Sequence, residues 1–299
     1  MSRLDHRCRV ARRRAKVPRF SIIIPSYNAA LTLGRAIDSV LAQTDDDWEC
    51  VIVDDGSTDD TAKVIASYCK NDKRFFSKWQ ENAGTAAALN TAATLASGDF
   101  LVHFDADDEL MPTYCEQTSS LIDARPDYDI YAANALQVTP SDNHVLFNNA
   151  ESFSSIISLT IEDLIVRPEI YVTAAIRKEI FVKVGGFCSN TYNEDYDFWL
   201  KALAMGARHV FQPEVLSVYH VSPQQKTANA LRVRESDFVI IENLINSGLL
   251  SDEQVAIARR KQTELQKNIA TRKRLYKMVG QKGAERIIAL KRSSAEGST

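Results

Sequence analysis

Between residues 20 and 105 the chain alternates short apolar runs with amphipathic stretches, and most of the apolar runs end in a cluster of polar residues. FSIIIP, 20–25, is apolar apart from one serine and closed by a proline, the pattern of a strand buried on both faces. Residues 31–43 carry apolar side chains at 33, 36, 37, 40 and 41, a helical stripe. WECVIVDDGS follows as a second strand running into a turn. Residues 58–70 read as a helix that Thr58 can cap. A third strand over 74–79, an alanine-rich helix over 85–96 and a fourth strand over 99–104 complete the series. Such alternation builds a parallel sheet with helices on both faces. Ligands of these sheets lie at the carboxyl ends of the strands, where IPSYN, VDDGS and FDADD all fall.

Beyond residue 110 the pattern loosens. Strands are expected over 129–138 and 170–176, and a helix over 178–184 that stops at Gly185 and Gly186. A helix over 194–205 stops at Gly206. One or two short strands lie within 209–219, broken at Pro213. From Thr227 the chain reads as two or three charged helices, one of them long, over 252–279. SSAEGST at the end is expected to be disordered.

Charge divides the chain in the same places. Residues 1–19 carry a net +7, residues 20–224 a net −17, and residues 225–299 a net +7. An acidic body suits a site that holds a cation. Basic ends suit a phosphate-rich surface or are simply solvated faces. No apolar run approaches the roughly 20 residues needed to span a bilayer. No apolar leader follows the basic N-terminus, so a cytoplasmic location is expected, peripheral at the inner membrane face if the basic ends bind lipid. Five scattered cysteines with no CxxC pair read as reduced thiols.

The polar clusters suggest specific chemistry. In FDADDEL, extended backbone over 104–107 would point Asp105 and Asp107 the same way. Two such carboxylates make a hard-oxygen site for Mg2+ or Mn2+ and its bound phosphates. Turn carboxylates capping a helix after Pro112 are the plain alternative. In VDDGSTD, Asp54 and Asp55 can accept from a base N–H or a ribose hydroxyl, or serve only the turn. Tyr27, followed by Asn28, can stack on a flat base. The loop of Asn82, Ala83 and Gly84 can present backbone N–H groups to a ligand. In NEDYDFWLKAL, Tyr196, Trp199, Leu200 and Leu203 share one apolar stripe, and Trp199 is assigned to the core. Glu194 and Asp195 stand at the helix start, off that stripe, where the helix dipole favours their ionised form. An ionised carboxylate there can act as a general base. N-capping accounts for one acid but not for Glu194, Asp195 and Asp197 together. His220, ending a short strand, could serve a metal or a diphosphate.

Taken in order, SIIIPSYN, VIVDDGSTD, NAGTAAALNTA, GDFLVHFDADDELMP, KVGGF, NEDYDFWLKAL and YH resemble the family 2 glycosyltransferases, from about residue 20 to 224. The resemblance implies an α/β GT-A fold, a Rossmann-like, mostly parallel sheet flanked by helices. Its nucleotide-binding half would be 20–110 and its acceptor half 111–224, preceded by a basic disordered arm (1–19) and followed by a basic helical tail (225–299). It implies inverting transfer of a sugar from a nucleotide diphosphate-sugar, UDP-sugar favoured, in cell-surface polysaccharide or glycolipid assembly. Pro25, Tyr27 and Asp55 match residues that hold the nucleotide base, with Asp54 beside them. Asn28, Asn82, Gly84 and Asp105 are also assigned to the nucleotide side. Asp105 and Asp107 match the metal-binding pair, Asp107 as the direct ligand. Asp195 matches the general base, with Glu194 as the alternative, and His220 the late histidine near metal and diphosphate. The implied partners are a nucleotide-sugar donor and a saccharide or lipid-linked acceptor. Membrane contact through the basic ends and self-association are left open, and no nucleic acid is expected.

Two positions depart from the family pattern. Leu89 stands before Asn90 where a basic residue is common, and Lys201 where an arginine is common. Other classes fit less well. IPSYNAALTLG lacks the glycine- and base-rich phosphate loop of a nucleotidyltransferase. A haloacid dehalogenase carries its DxD after the first strand, and a dinucleotide dehydrogenase needs GxGxxG. A catalytically inactive sugar-nucleotide-binding scaffold is the remaining alternative.

Overall fold

The computed structural model describes residues 17–139, 142–146, 157–167, 170, 173–222, 225 and 229–296. Most of the basic arm expected over 1–19 lies outside these residues. So does part of the strand expected over 170–176.

The first hundred residues form β1 (Phe20–Ser26), α1 (Leu33–Leu41), β2 (Trp48–Asp54), α2 (Thr61–Asn71), β3 (Phe75–Trp79), α3 (Thr85–Leu95) and β4 (Phe100–His103). β1 pairs in parallel with β2 on one side and β4 on the other, and β3 lies parallel outside β2. β1, β2 and β4 are buried almost throughout, which is why they read as largely apolar runs, with Ser21 and Glu49 the buried polar exceptions near their starts. α1 buries Leu33, Ala36, Ile37 and Val40, the i, i+3, i+4, i+7 stripe, while Leu31 stays outside the helix at 99% exposure. α3 buries Ala86, Ala88, Leu89, Ala92 and Ala93, small side chains that let the helix lie close to the sheet. Leu89 is fully buried, so this departure from the family pattern is part of the core and offers no cation to a ligand.

β5 (Glu109–Leu110), α4 (Tyr114–Ala124), β6 (Ile130–Val138), β7 (Asn143–Val145), α5 (Ile161–Val166), β8 (Ala175–Arg177), α6 (Lys178–Val184), α7 (Glu194–Ala204) and β9 (His209–His220) follow. Among the described residues the sheet runs β3-β2-β1-β4-β8-β6-β9-β5, with β7 beside β6. β8 is antiparallel to both β4 and β6, and β6 is parallel to β9.

Two local expectations are corrected. Pro213 does not break β9, which runs unbroken through it. The register with β6 shifts beside Ala133, Asn134 and Ala135 instead, an irregularity that accommodates a residue with no N–H to donate. Thr58 does not cap α2. The helix starts at Thr61, where Asp59 accepts from the Thr61 backbone N–H at 3.0 Å, and Thr58 bonds to Asn28.

The amino end of the sheet is closed by a polar knot around the buried Ser21 and Glu49. Ser21 Oγ donates to Glu49 at 2.7 Å and accepts from the Gly98 N–H at 2.8 Å, and Ser97 Oγ donates to the same Glu49 oxygen at 2.8 Å. This end stabilises, while the polar motifs gather at the other.

Residues up to Pro223, apart from Thr191–Asn193, form one compact unit. The second comprises Thr191–Asn193 and the chain from Gln224. It contains α8 (Ala230–Asn246) and α9 (Asp252–Glu296), the latter kinked at Gly280, whose φ is 70°. Arg272, 4% exposed, pairs with Glu285 across this kink. α9 continues to Glu296, so the first residues of SSAEGST are helical, not disordered. Among the described residues no helix is long and apolar enough to cross a membrane.

Candidate active site

Because β1, β2 and β4 run side by side in parallel, the residues after Ser26, Asp54 and His103 arrive at one edge of the sheet. The acidic motif there is a turn. β4 stops at His103, and the Asp108 N–H donates to the Asp105 carbonyl at 3.3 Å. The alternation read from the sequence required extended backbone over 104–107, and the turn alternative is the one formed. The turn, not strand alternation, brings the carboxylates of Asp105, Asp107 and Asp108 within 4.8 Å of one another.

Three like charges so close repel, and donors surround them. His103 Nε2 lies 3.1 Å from Asp105 Oδ1. Asp108, fully buried, accepts the His220 backbone N–H at 3.0 Å. Arg35 of α1 donates to the Asp107 carbonyl at 2.5 Å and pairs with Glu109 at 3.3 Å. Glu109 also meets His220 Nε2 at 2.6 Å. His220 therefore reaches the turn through its backbone, turns its ring onto Glu109, and is not among the three clustered groups. Asp105 and Asp107 are partly exposed. Carboxylate oxygens are the ligands that Mg2+ and Mn2+ prefer, so the donor set fits a hard divalent cation, with Asp105 and Asp107 the reachable pair.

The second acidic cluster is drawn to the first by aromatic packing. In α7, Tyr196, Phe198, Trp199 and Leu200 are buried, Trp199 at 1% exposure in the core. Phe198 packs against Phe187 at a tilt of 45° with ring centroids 5.1 Å apart, and Phe187 meets the His103 ring edge-on at 5.5 Å. The first turn of α7 thereby shares an electrostatic environment with β4. Burial pulls the His103 imidazole down, but Asp105, Glu194 and Asp195 together outweigh it and raise its pKa. Burial, then the charge of Glu194, lifts Asp195 from 3.8 to about 6, against the Tyr196 N–H and His103. Desolvation and a neighbouring like charge thus outweigh the pull of the helix dipole on Asp195, which stays ionised at neutral pH but becomes more basic than an ordinary aspartate. Asp197 is 2% exposed and bound to Lys201 at 2.6 Å, so the third acid of this cluster is held in an i, i+4 ion pair.

The expected nucleotide side lies at the ends of β1 and β2. Tyr27 is 53% exposed just after β1, and Pro25 is half-buried within it. Asn28, at φ 50°, accepts from the Thr58 N–H at 2.8 Å and donates its own N–H to Ser57, tying two loops together. Asp54 accepts from the Ser57 N–H at 2.9 Å. Asp55 is buried and accepts from Gln80 Nε2 at 2.7 Å, the Ala83 N–H at 2.9 Å and the Gly84 N–H at 2.8 Å. Of the two readings of the 82–84 loop, ligand-facing or purely structural, the hydrogen bonds follow the second for these two N–H groups, which point inward onto Asp55. Asn82 itself is exposed. It lies so close to Gly56, at φ 80°, that a Cβ there would stand 2.9 Å from its nitrogen.

Asn90 explains two further motifs. It accepts from the Phe187 N–H at 2.9 Å and donates to the Phe187 carbonyl at 2.8 Å. A Cβ on Gly186, at φ 80°, would lie 2.5 Å from the same Asn90 oxygen. Sequence reasoning missed His103, Arg35, Asp108 and Glu109 as site residues. Asp108 and Glu109 stood in the quoted run, but nothing along the chain pairs Arg35 with a turn 72 residues away.

The profile of glycosyl transferase family 2 matches residues 21–185. An uncharacterized glycosyltransferase of Rickettsia typhi is 30% identical over 222 residues, 73% of this chain and 69% of its own. Chondroitin synthase of Escherichia coli is 41% identical over 101 residues, 34% of this chain and 15% of that one. Among solved structures, S. aureus TarS in complex with UDP-GlcNAc has a TM-score of 0.69 at 19% identity, covering 83% of this chain and 71% of that chain. Mannosyltransferase PcManGT from Pyrobaculum calidifontis, in complex with GDP-Man and Mn2+, has a TM-score of 0.67 at 22% identity, covering 96% and 83%. The likeness to both establishes the fold as GT-A. With the profile spanning over half of its length, this chain belongs to glycosyl transferase family 2 and is a glycosyltransferase.

Proposed function

We propose that the protein transfers a sugar from a nucleoside diphosphate-sugar to an acceptor hydroxyl with inversion, with Asp195 as general base. One observation carries this reading. Acidic groups 90 residues apart, Asp105 and Asp195, lie in one electrostatic environment around His103. A carboxylate with a pKa near 6 is ionised at neutral pH and still basic enough to take a proton in the transition state. Glu194 beside it keeps that pKa up.

Asp195 takes the proton of the acceptor hydroxyl. The acceptor oxygen forms a bond to the anomeric carbon as the bond to the diphosphate oxygen breaks from the opposite face, and the electron pair leaves with the diphosphate. Asp105 and Asp107 would hold a divalent cation, Mg2+ or Mn2+, which would supply neutralisation of the charge on that diphosphate. Tyr27 offers an exposed ring to the base. Asp55 positions the 82–84 loop beside it, and Asp54 and Asn28 fix the adjoining loop. Holding donor and acceptor together supplies much of the remaining acceleration. A UDP-sugar is the favoured donor, and a saccharide or lipid-linked saccharide of polysaccharide assembly the favoured acceptor. Support comes from the names of the relatives: one is a chondroitin synthase, and TarS was solved with UDP-GlcNAc. Peripheral membrane contact belongs to the same reading. In the second unit Lys273, Arg274 and Lys277 are exposed alongside Met278 and Val279 at the Gly280 kink. Flotation with anionic liposomes tests it.

The deciding experiment is donor hydrolysis across UDP-, GDP- and dTDP-sugars with Mn2+ or EDTA, the product anomer being read by NMR. Inverted product, lost with EDTA and in Asp195→Asn, is expected. Retained configuration, or full turnover in Asp195→Asn, would sink the mechanism.

A further inference from the structure

We propose that His103 is a positioning residue: its Nε2–H holds Asp105 Oδ1 and so presents that carboxylate, together with Asp107, to a divalent cation. The inference rests on the metal reading given above, and adds to it a residue with no ligand contact of its own.

His103 sits in FLVHF, where Phe100, Leu101, Val102 and Phe104 are all at most 4% exposed, and is itself 2% exposed. An apolar side chain would satisfy such a position. The imidazole instead leaves Nδ1 buried with no hydrogen-bond partner among the described residues, so packing alone does not explain it. Its other nitrogen is 3.1 Å from Asp105 Oδ1. An ionised carboxylate only accepts, so Nε2 carries the proton. The ring cannot swing away freely, because Phe187 packs against it edge-on at 5.5 Å. Phe187 is in turn pinned through both its backbone groups by Asn90. A line of contacts thus runs from α3 through Phe187 and His103 to Asp105. Outer partners of this kind orient ligating carboxylates, and their loss typically weakens metal binding about 10- to 100-fold.

The test measures Mn2+ alone, without donor, by the EPR signal of the free ion, on wild type, His103→Leu and His103→Gln, each checked for folding by circular dichroism. His103→Leu should bind Mn2+ at least about tenfold more weakly. His103→Gln, whose amide can donate from nearly the position of Nε2, should recover most of that loss. Wild-type affinity in His103→Leu overturns the inference, as does His103→Gln as weak as His103→Leu. Should His103→Leu not fold, the 15N resonances of the wild-type imidazole decide. A protonated Nε2 whose resonance shifts on Mg2+ addition supports the role, and an unprotonated Nε2 or an unmoved resonance overturns it. Wild-type protein that binds no Mn2+ removes the metal reading and this inference with it. Binding that His103→Leu shares removes this inference alone.

Discussion

The raised pKa of Asp195 makes a quantitative prediction about activity at mildly acid pH. Burial and Glu194 lift the group from 3.8 to about 6. A base titrating near 6 is roughly nine-tenths ionised at pH 7 and roughly one-tenth at pH 5, so kcat/KM for donor hydrolysis should fall about tenfold across that interval. An ordinary aspartate would lose less than about a tenth of its activity over the same range. Three perturbations separate this limb from acid unfolding. Glu194→Gln removes the neighbouring charge and should move the limb to lower pH. His103→Leu removes a favourable charge and should move it to higher pH. Saturating Mg2+ should move it down by cancelling the repulsion from Asp105. For stability the sign reverses. The folded pKa lies above the unfolded one, so Asp195 contributes stability that is fully present below about 3.8 and lost as pH rises through about 6. Asp195→Asn should therefore raise Tm at pH 8 and leave it unchanged near pH 3.5. A flat profile from pH 7 to 5 with the fold intact, or a limb that Glu194→Gln does not move, would refute the reasoning.

Other outcomes follow from geometry. Gly98→Ala places a Cβ 2.7 Å from Ser21 Oγ and 2.9 Å from Phe20 and Ser21 backbone atoms, and should cost about 1–3 kcal/mol in urea unfolding. Asn90→Ala leaves both backbone groups of Phe187 without their partner and should destabilise by about 1–3 kcal/mol. It should also slow donor hydrolysis by loosening the support of α7, and unchanged turnover would count against that link. Mn2+ at a hundred times its Kd should stabilise the wild-type protein by about 2.7 kcal/mol, and Asp107→Asn should abolish the effect in a thermal shift.

Much of the sheet was legible in the sequence because buried parallel strands and helices packed on them leave distinct periodicities, largely apolar runs and 3.6-residue stripes. The placing of polar clusters at strand ends followed from the same alternation. Local hydrogen-bond competition was not legible. Whether Asp55 faced a ligand or the loop of Ala83 and Gly84, and whether Thr58 capped a helix or met Asn28, depended on partners brought near only by folding. The sequence by itself determined the α/β sheet, its polar edge and the identity of the acids. Only the tertiary structure decided that Asp105 and Asp195 share one field. That meeting depends on β8 pairing antiparallel with β4 and on Phe187 packing between His103 and Phe198. The pKa of Asp195 was decided there too, since burial and neighbouring charge are properties of space and leave no period along a chain.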